Sequence, residues 1–201
     1  MQEYLNRKVI SKIQKVLERA PVVAILGPRQ CGKTTLSRDL LPNGDNFVYV
    51  DLQINSGRAM LEEPELFFKE FRNKLICLDE IQVVPNLFAE IRGEVDKDRR
   101  PGRFLILGSA SRDLIRQSSE TLAGRIEYIY LSPFTFEEIQ NNYSESEHWL
   151  KGGFPNSLTA KNLDDSYSWR ENYIQTFLER DIPQLGYLIP ERLLSKLWVM
   201  L

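Results

Sequence analysis

One eight-residue stretch constrains this chain more than any other. Gly27-Pro28-Arg29-Gln30-Cys31-Gly32-Lys33-Thr34 fits the pattern G-x-x-x-x-G-K-S/T at every fixed position. The apolar run VVAIL precedes it at residues 22–26, and residues 33–40 read as a helix leaving it. The chemistry accounts for the residue types. Glycines at 27 and 32 let the backbone curl so that successive N–H groups face one anion. The helix that follows offers its positive end to the same anion. Lys33 supplies a point charge for β- and γ-phosphates, and the Thr34 hydroxyl is an expected Mg²⁺ ligand. Residues Gly27, Pro28, Arg29, Gln30, Cys31, Gly32, Lys33, Thr34 and Thr35 are therefore the candidate nucleotide-binding set. The bland alternative is a glycine-rich turn that only joins a strand to a helix.

The rest of the chain repeats this strand-then-helix alternation. Apolar runs at 47–52, 75–78, 104–107 and 128–131 read as further strands, with helical segments at 65–71, 86–95 and 112–122 between them. Ahead of the first strand, Leu5, Val9, Ile13, Val16 and Leu17 recur at helical spacing until Pro21. Alternating βα units predict an α/β fold with a parallel sheet covered on both faces. Beyond Pro133 the pattern changes to a short helix at 136–143, a Gly-Gly-Phe-Pro turn at 152–155, and helices at 164–181 and 191–201. The expected organisation is a core at 1–140 and a helical extension at 141–201. The final helix has an apolar face (Leu193, Leu194, Leu197, Trp198, Leu201) and no cap. That face either docks on the core or marks a chain that stops inside a longer protein, and the second reading is preferred.

Two carboxylates end the strand LICLDE, 46 residues after Lys33. In a parallel sheet the C-terminal strand edge faces the ligand crevice, so Asp79 and Glu80 are expected where the phosphates sit. Asp79 is the expected magnesium residue, and Glu80 is then free to polarise an attacking water. The alternative has Asp79 capping a helix and Glu80 solvated. A water-activating carboxylate favours a nucleoside triphosphate hydrolase over a kinase, which needs a place for an acceptor hydroxyl. The strand FLILG ends in Ser109-Ala110-Ser111: Ser111 suits a helix cap, and Ser109 could hydrogen-bond a γ-phosphate or the water. Arg125 and Arg112 are candidates for an arginine supplied across a subunit boundary, or plain helix-end residues. Arg180 fits intrahelical ion pairing better than a nucleotide contact.

Composition excludes several classes. With 26 basic and 28 acidic residues the net charge is -2, so the chain lacks the basic excess of a nucleic-acid coat or membrane-surface binder. Two cysteines and one histidine cannot form a disulfide framework or a usual zinc site. Cys31 is either a small side chain tucked beside the strand or a thiol activated by the helix end; Cys77 reads as core. His148 has no partners arranged for a triad and reads as a surface residue, and the three tryptophans read as packing anchors of the extension. No run approaches the roughly 18 apolar residues of a membrane span, and residues 1–9 are too polar for a signal peptide. A cytoplasmic protein is expected.

GPRQCGKTT, LICLDEIQ, LGSASRDL, LAGRIEYIYLSPFTFEEI, GGFP and FLERDI, in this order, resemble the AAA-type P-loop ATPases of bacteria and archaea whose loop reads GPRQ-x-GKTT. The loop and the acidic pair are similar to that family's Walker A and Walker B motifs. The resemblance covers roughly residues 3–190 and implies a five-stranded sheet in the order 5-1-4-3-2. It also implies ATP and Mg²⁺ as ligands, with Lys33 and Thr34 at phosphate and magnesium. Asp79 and Glu80 would serve as metal and water residues, Ser109 as a sensor-like position and Arg125 as an arginine finger. Cys31 stands where the family's loop carries a small aliphatic residue. The family usually continues into a C-terminal domain, which the resemblance leads us to expect to be essentially absent from these 201 residues. The function so implied is ATP hydrolysis that drives a conformational change in an attached domain or partner. The alternatives are a nucleotide-gated switch or regulatory module with little hydrolysis, and, further off, a small-molecule kinase. A second copy of the chain or another protein is the candidate partner; a nucleic-acid role is not legible, and no membrane is expected.

Overall fold

The computed structural model describes residues 5–40, 44–184 and 191–200. The chain divides into two units. One holds residues up to Ala110 together with Leu114–Ser132, the other Ser111–Asp113 and the chain from Pro133 onward.

The first unit begins with helix α1 (Val9–Leu17) and strand β1 (Val22–Leu26). A short helix α2 (Lys33–Thr35) follows the glycine-rich loop and runs on as a π-helical turn, Leu36–Leu40. Then come β2 (Phe47–Asp51), α3 (Asn55–Ala59), α4 (Pro64–Glu70), β3 (Leu75–Asp79), α5 (Leu87–Lys97), β4 (Phe104–Gly108), α6 (Arg112–Thr121) and β5 (Ile126–Tyr130). All five strands are parallel, in the order β2-β3-β4-β1-β5. This is the α/β sheet expected, with 5-1-4-3-2 read from the opposite edge.

Strand composition decides who sits where. VVAIL and FLILG carry no polar side chain, so they suit positions covered on both faces; β1 and β4 are buried throughout. FVYVD and IEYIY interleave polar residues and form the two edges, where burial is partial. Alternation along the strands then splits the sheet into two faces. Val22, Ala24, Leu78 and Ile106 join a core with Phe67 and Phe68 of α4 and Phe88, Ile91 and Val95 of α5. Tyr49, Cys77 and Asp79 fall on the opposite face by register.

The fifth strand starts two residues earlier than its apolar run predicts. The interruption is Glu127, an edge position whose carboxylate pairs with Arg19 at 2.6 Å instead of entering the core. The charged stretch after residue 95, which looks like a solvated loop, is in part the last turn of α5. There Asp96 pairs with Arg125 at 2.7 Å.

The second unit is helical: α7 (Phe136–Ile139), α8 (Glu145–Lys151), α9 (Pro155–Leu158), α10 (Leu163–Thr176), a π-helical turn (Phe177–Asp181), α11 (Ile182–Gln184) and α12 (Glu191–Met200). The expected helix at 136–143 stops at Ile139, and α8 is new. Its start was written in Ser144-x-x-Glu147, a reciprocal capping box. Gly153 lies under the Phe134 carbonyl, where a Cβ would stand 2.1 Å from that oxygen, and Phe134 N–H donates to Gly153 O at 2.7 Å. Trp169 does anchor packing, stacked on Tyr173 and touching Phe154. Trp149 does not: α8 buries no residue, and this indole is 88% exposed. His148 is half-buried, its Nε2 3.0 Å from the Phe134 carbonyl. On α12, Leu193 and Leu197 are exposed, whereas the side chain of Trp198 and residue Leu201 lie outside the described residues. No helix among the described residues is long and apolar enough to cross a membrane.

One buried cation holds the first unit together at the N-terminal edge of its sheet. Arg103, 2% exposed, donates to the carbonyls of Phe68, Phe71 (3.1 Å) and Lys74 (3.5 Å). Phe68 lies in α4, Phe71 follows its end and Lys74 precedes β3, so the guanidinium ties the end of α4 to the approach to β3. Arg103→Met keeps the apolar stem and removes every donor. It is expected to cost about 2–4 kcal/mol and to lower Tm by roughly 5–15 °C, measured by thermal unfolding followed by circular dichroism.

Candidate functional site

The glycine-rich loop leaves the C-terminal end of β1 between the ends of β4 and β5. Gly27 is there because nothing larger fits: a Cβ would stand 2.2 Å from the Leu131 carbonyl oxygen and 3.1 Å from Cys31 Sγ. Left-handed backbone at Gln30 (φ 59°) and Gly32 (φ 99°) bends the loop around. The Lys33 ammonium, 5% exposed, lies across it and donates to the carbonyls of Gly27 (3.0 Å) and Pro28 (2.9 Å). Pro28 and Arg29 are half-buried, while Gln30, Thr34 and Thr35 are exposed. Cys31 is buried with Sγ 3.6 Å from the Leu131 carbonyl, and burial raises its pKa. This is the tucked, packing cysteine, not the activated thiol. Cys77 is core, and burial pushes its thiol up as well.

Strand β4 separates β1 from β3, so the acidic pair arrives beside the loop from one strand further along. Asp79 ends β3 and is 2% exposed. Three donors converge on its carboxylate. Thr34 Oγ1 donates to Oδ2 at 2.6 Å, Tyr49 Oη donates to the same oxygen at 2.7 Å, and the Glu80 backbone N–H donates to Oδ1 at 2.9 Å. Burial and the Asp79 carboxylate raise the Tyr49 phenol above its ordinary range, so Tyr49 is a donor here. Glu80 adopts left-handed backbone (φ 56°), turning the chain into a 3₁₀ turn, Ile81–Val83. The Gln82 amide donates to the Glu80 carboxylate. The other end of that amide, Gln82 Oε1, is buried without a hydrogen-bond partner among the described residues.

Thr34 and Asp79, 45 residues apart in sequence, are thus in direct contact. The two oxygens form a hard, sparse donor set. Such a set suits Mg²⁺, which is held by one or two protein oxygens together with substrate phosphates. Among the described residues no group of three or more histidine, cysteine and acidic side chains is placed to hold a metal ion.

Ser109 follows β4 directly, half-buried, at the same end of the sheet as the loop and the acidic pair. The structure does not bring Arg125 to them. Arg125 precedes β5, and its carbonyl accepts from Val22 N–H at the start of β1, so it lies at the opposite edge of the sheet. Its guanidinium is taken up by Asp96, at 2.7 and 2.8 Å, and by the Ala123 carbonyl. Arg125 therefore cannot reach the phosphate loop of its own chain. The Arg112 side chain lies outside the described residues, and Arg180 is exposed in the helical unit. Reading the sequence missed Tyr49 and Gln82. Tyr49 looks like any aromatic in an edge strand, and only the pairing Tyr49↔Cys77 sets it two residues short of Asp79 on the same face. Gln82, two residues past Glu80, matches no helical spacing.

Comparison with known proteins agrees with this geometry. A model described as an AAA domain matches residues 19–140, and one described as a domain of unknown function, DUF8612, matches residues 142–201. Two uncharacterised proteins, from Mycobacterium tuberculosis and Mycobacterium bovis, are each 43% identical over 196 residues, covering 98% of this chain. The chain spans 44% of the length of these relatives. A solved structure from Pyrococcus horikoshii has a similar fold, with a TM-score of 0.51 at 15% identity over 89% of this chain and 35% of its own. It is a Signal Transduction ATPase with Numerous Domains protein with a tetratricopeptide repeat sensor. With its five-stranded parallel sheet, its glycine-rich loop after β1 and an AAA-domain match over most of its length, the chain belongs to the AAA-domain family of P-loop ATPases.

Proposed function

We propose that the protein binds Mg·ATP at residues 27–35 and hydrolyses it to drive a conformational change in an attached domain or a partner. The contact between Thr34 and Asp79 carries this reading, because it joins the loop's hydroxyl to a buried carboxylate at the sheet edge where phosphates would lie. In the proposal the loop N–H groups from Gly27 to Thr35 wrap the phosphates. Lys33 exchanges its present bonds to the Gly27 and Pro28 carbonyls for phosphate oxygens. Thr34 and Asp79 hold the Mg²⁺, which when bound neutralises charge on the β- and γ-phosphates. Glu80 accepts a proton from the attacking water, and Ser109 hydrogen-bonds the γ-phosphate or that water. Arg125 would act only on the nucleotide of a neighbouring subunit, after release from Asp96.

One observation favours the second reading, a nucleotide-gated switch with little turnover of its own. The Gln82 amide already holds the Glu80 carboxylate, and that hydrogen bond must shift before the carboxylate can turn to a water. Phosphate release with Mg·ATP, measured over a range of protein concentrations, separates the two. Turnover per chain that rises with concentration supports hydrolysis completed between subunits, and tight binding without turnover supports the switch.

Two substitutions test the roles. Lys33→Ala is expected to weaken Mg·ATP binding about 10- to 100-fold, the loss of a charge-assisted hydrogen bond, by equilibrium titration with a fluorescent nucleotide. Unchanged affinity would rule out the phosphate-loop assignment. Glu80→Gln is expected to lower kcat by about 10²–10⁴-fold while leaving that affinity within about twofold, and equal loss of both would remove Glu80 from the chemistry.

A further inference from the structure

The Asp79 carboxylate has more support than a metal-holding aspartate needs from the loop alone. Its Oδ2 accepts from Thr34 and also from Tyr49, a residue of the neighbouring edge strand. Strand geometry makes that reach specific. Tyr49 pairs with Cys77, Asp51 pairs with Asp79, and side chains two residues apart share a face. Two residues of strand span roughly 6.6 Å, about the length of a phenol side chain. The hydroxyl of Tyr49 therefore arrives at Asp79 and no nearer position. Phenylalanine at this site would fill the same space and leave Oδ2 with one donor fewer.

The ring is held from its other side. The Arg38 guanidinium lies 4.9 Å from the Tyr49 ring centroid, and Arg38 belongs to the π-helical turn that continues α2 from the loop. One helical segment thus touches the same carboxylate twice, directly through Thr34 and indirectly through Arg38 and Tyr49. With two donors on Oδ2 and the Glu80 N–H on Oδ1, both oxygens of the carboxylate are held.

We propose that Tyr49 is a positioning residue that fixes the Asp79 carboxylate for Mg²⁺ support, through the hydrogen bond from its hydroxyl to Asp79 Oδ2. The inference rests on the reading of Thr34 and Asp79 as the magnesium pair. Removal of an outer hydrogen-bond partner of a metal-supporting carboxylate weakens metal affinity by about 10- to 100-fold. Tyr49 donates to only one of two oxygens, which places its expected effect near the lower figure.

The test is the affinity of the whole chain for N-methylanthraniloyl-ADP, titrated with Mg²⁺ and, separately, in excess EDTA. Tyr49→Phe is expected to raise the Mg²⁺ concentration at half-maximal enhancement about 10-fold, with the EDTA affinity within about twofold of wild type. In an Asp79→Asn background the same substitution is expected to change neither quantity, because the bond has lost its charged acceptor. An unchanged or lowered Mg²⁺ requirement, or an equal loss of affinity in EDTA, overturns the proposal and leaves Tyr49 a packing residue. Tyr49→Leu, which also removes the hydroxyl, gives the same comparison if Tyr49→Phe does not fold. A wild-type chain whose nucleotide affinity ignores Mg²⁺ would instead overturn the magnesium-pair reading underneath.

Discussion

The contact on which the rest depends is the 2.6 Å hydrogen bond from Thr34 to Asp79. It joins the first turn after the glycine-rich loop to the end of β3, across the intervening strand β4. The bond forms with β4 lying in the sheet between β1 and β3, although β4 comes later in sequence. The unbroken apolar runs VVAIL and FLILG bring this about, since each needs cover on both faces and the two settle side by side at the centre. The strands that carry polar side chains are left at the edges. Core packing thereby sets the spacing of the loop, Ser109 and the acidic pair along one end of the sheet.

The same arrangement divides the labour between the two edges of the sheet. At the C-terminal edge, polar groups face one another with few bonds to spare for packing. At the N-terminal edge, Arg103 and the Arg125–Asp96 pair join helices to strands. The separation explains why an arginine near a glycine, a few residues before a strand, is ambiguous in sequence. The motif LAGRIEYIY fixes Arg125 to the start of β5, and the direction of a parallel strand then puts it at the far side from the glycine-rich loop.

Much of the site was legible because its chemistry is local in sequence. The loop is one continuous stretch, and Asp79 and Glu80 are adjacent and follow an apolar strand. The sheet order came from the resemblance and not from the residues, since no periodicity in one strand states its neighbour. Tyr49 and Gln82 were not legible for the same reason. Tyr49 reaches Asp79 only through cross-strand register, and Gln82 meets Glu80 only because the backbone turns left-handed between them. The helix at 145–151 is legible in its capping box, but no buried stripe accompanies that signal. The exposure of Trp149 has the same origin, since α8 has no buried face to offer its indole.

Glu80 shows what such a site demands of the chain that carries it. Its φ of 56° lies where glycine rests without steric penalty and a side chain with a Cβ does not. A residue held there is typically about 1–3 kcal/mol above its relaxed state. Selection for stability alone would drift this position toward glycine, and the carboxylate would vanish. Stability and the proposed chemistry pull in opposite directions at this one residue.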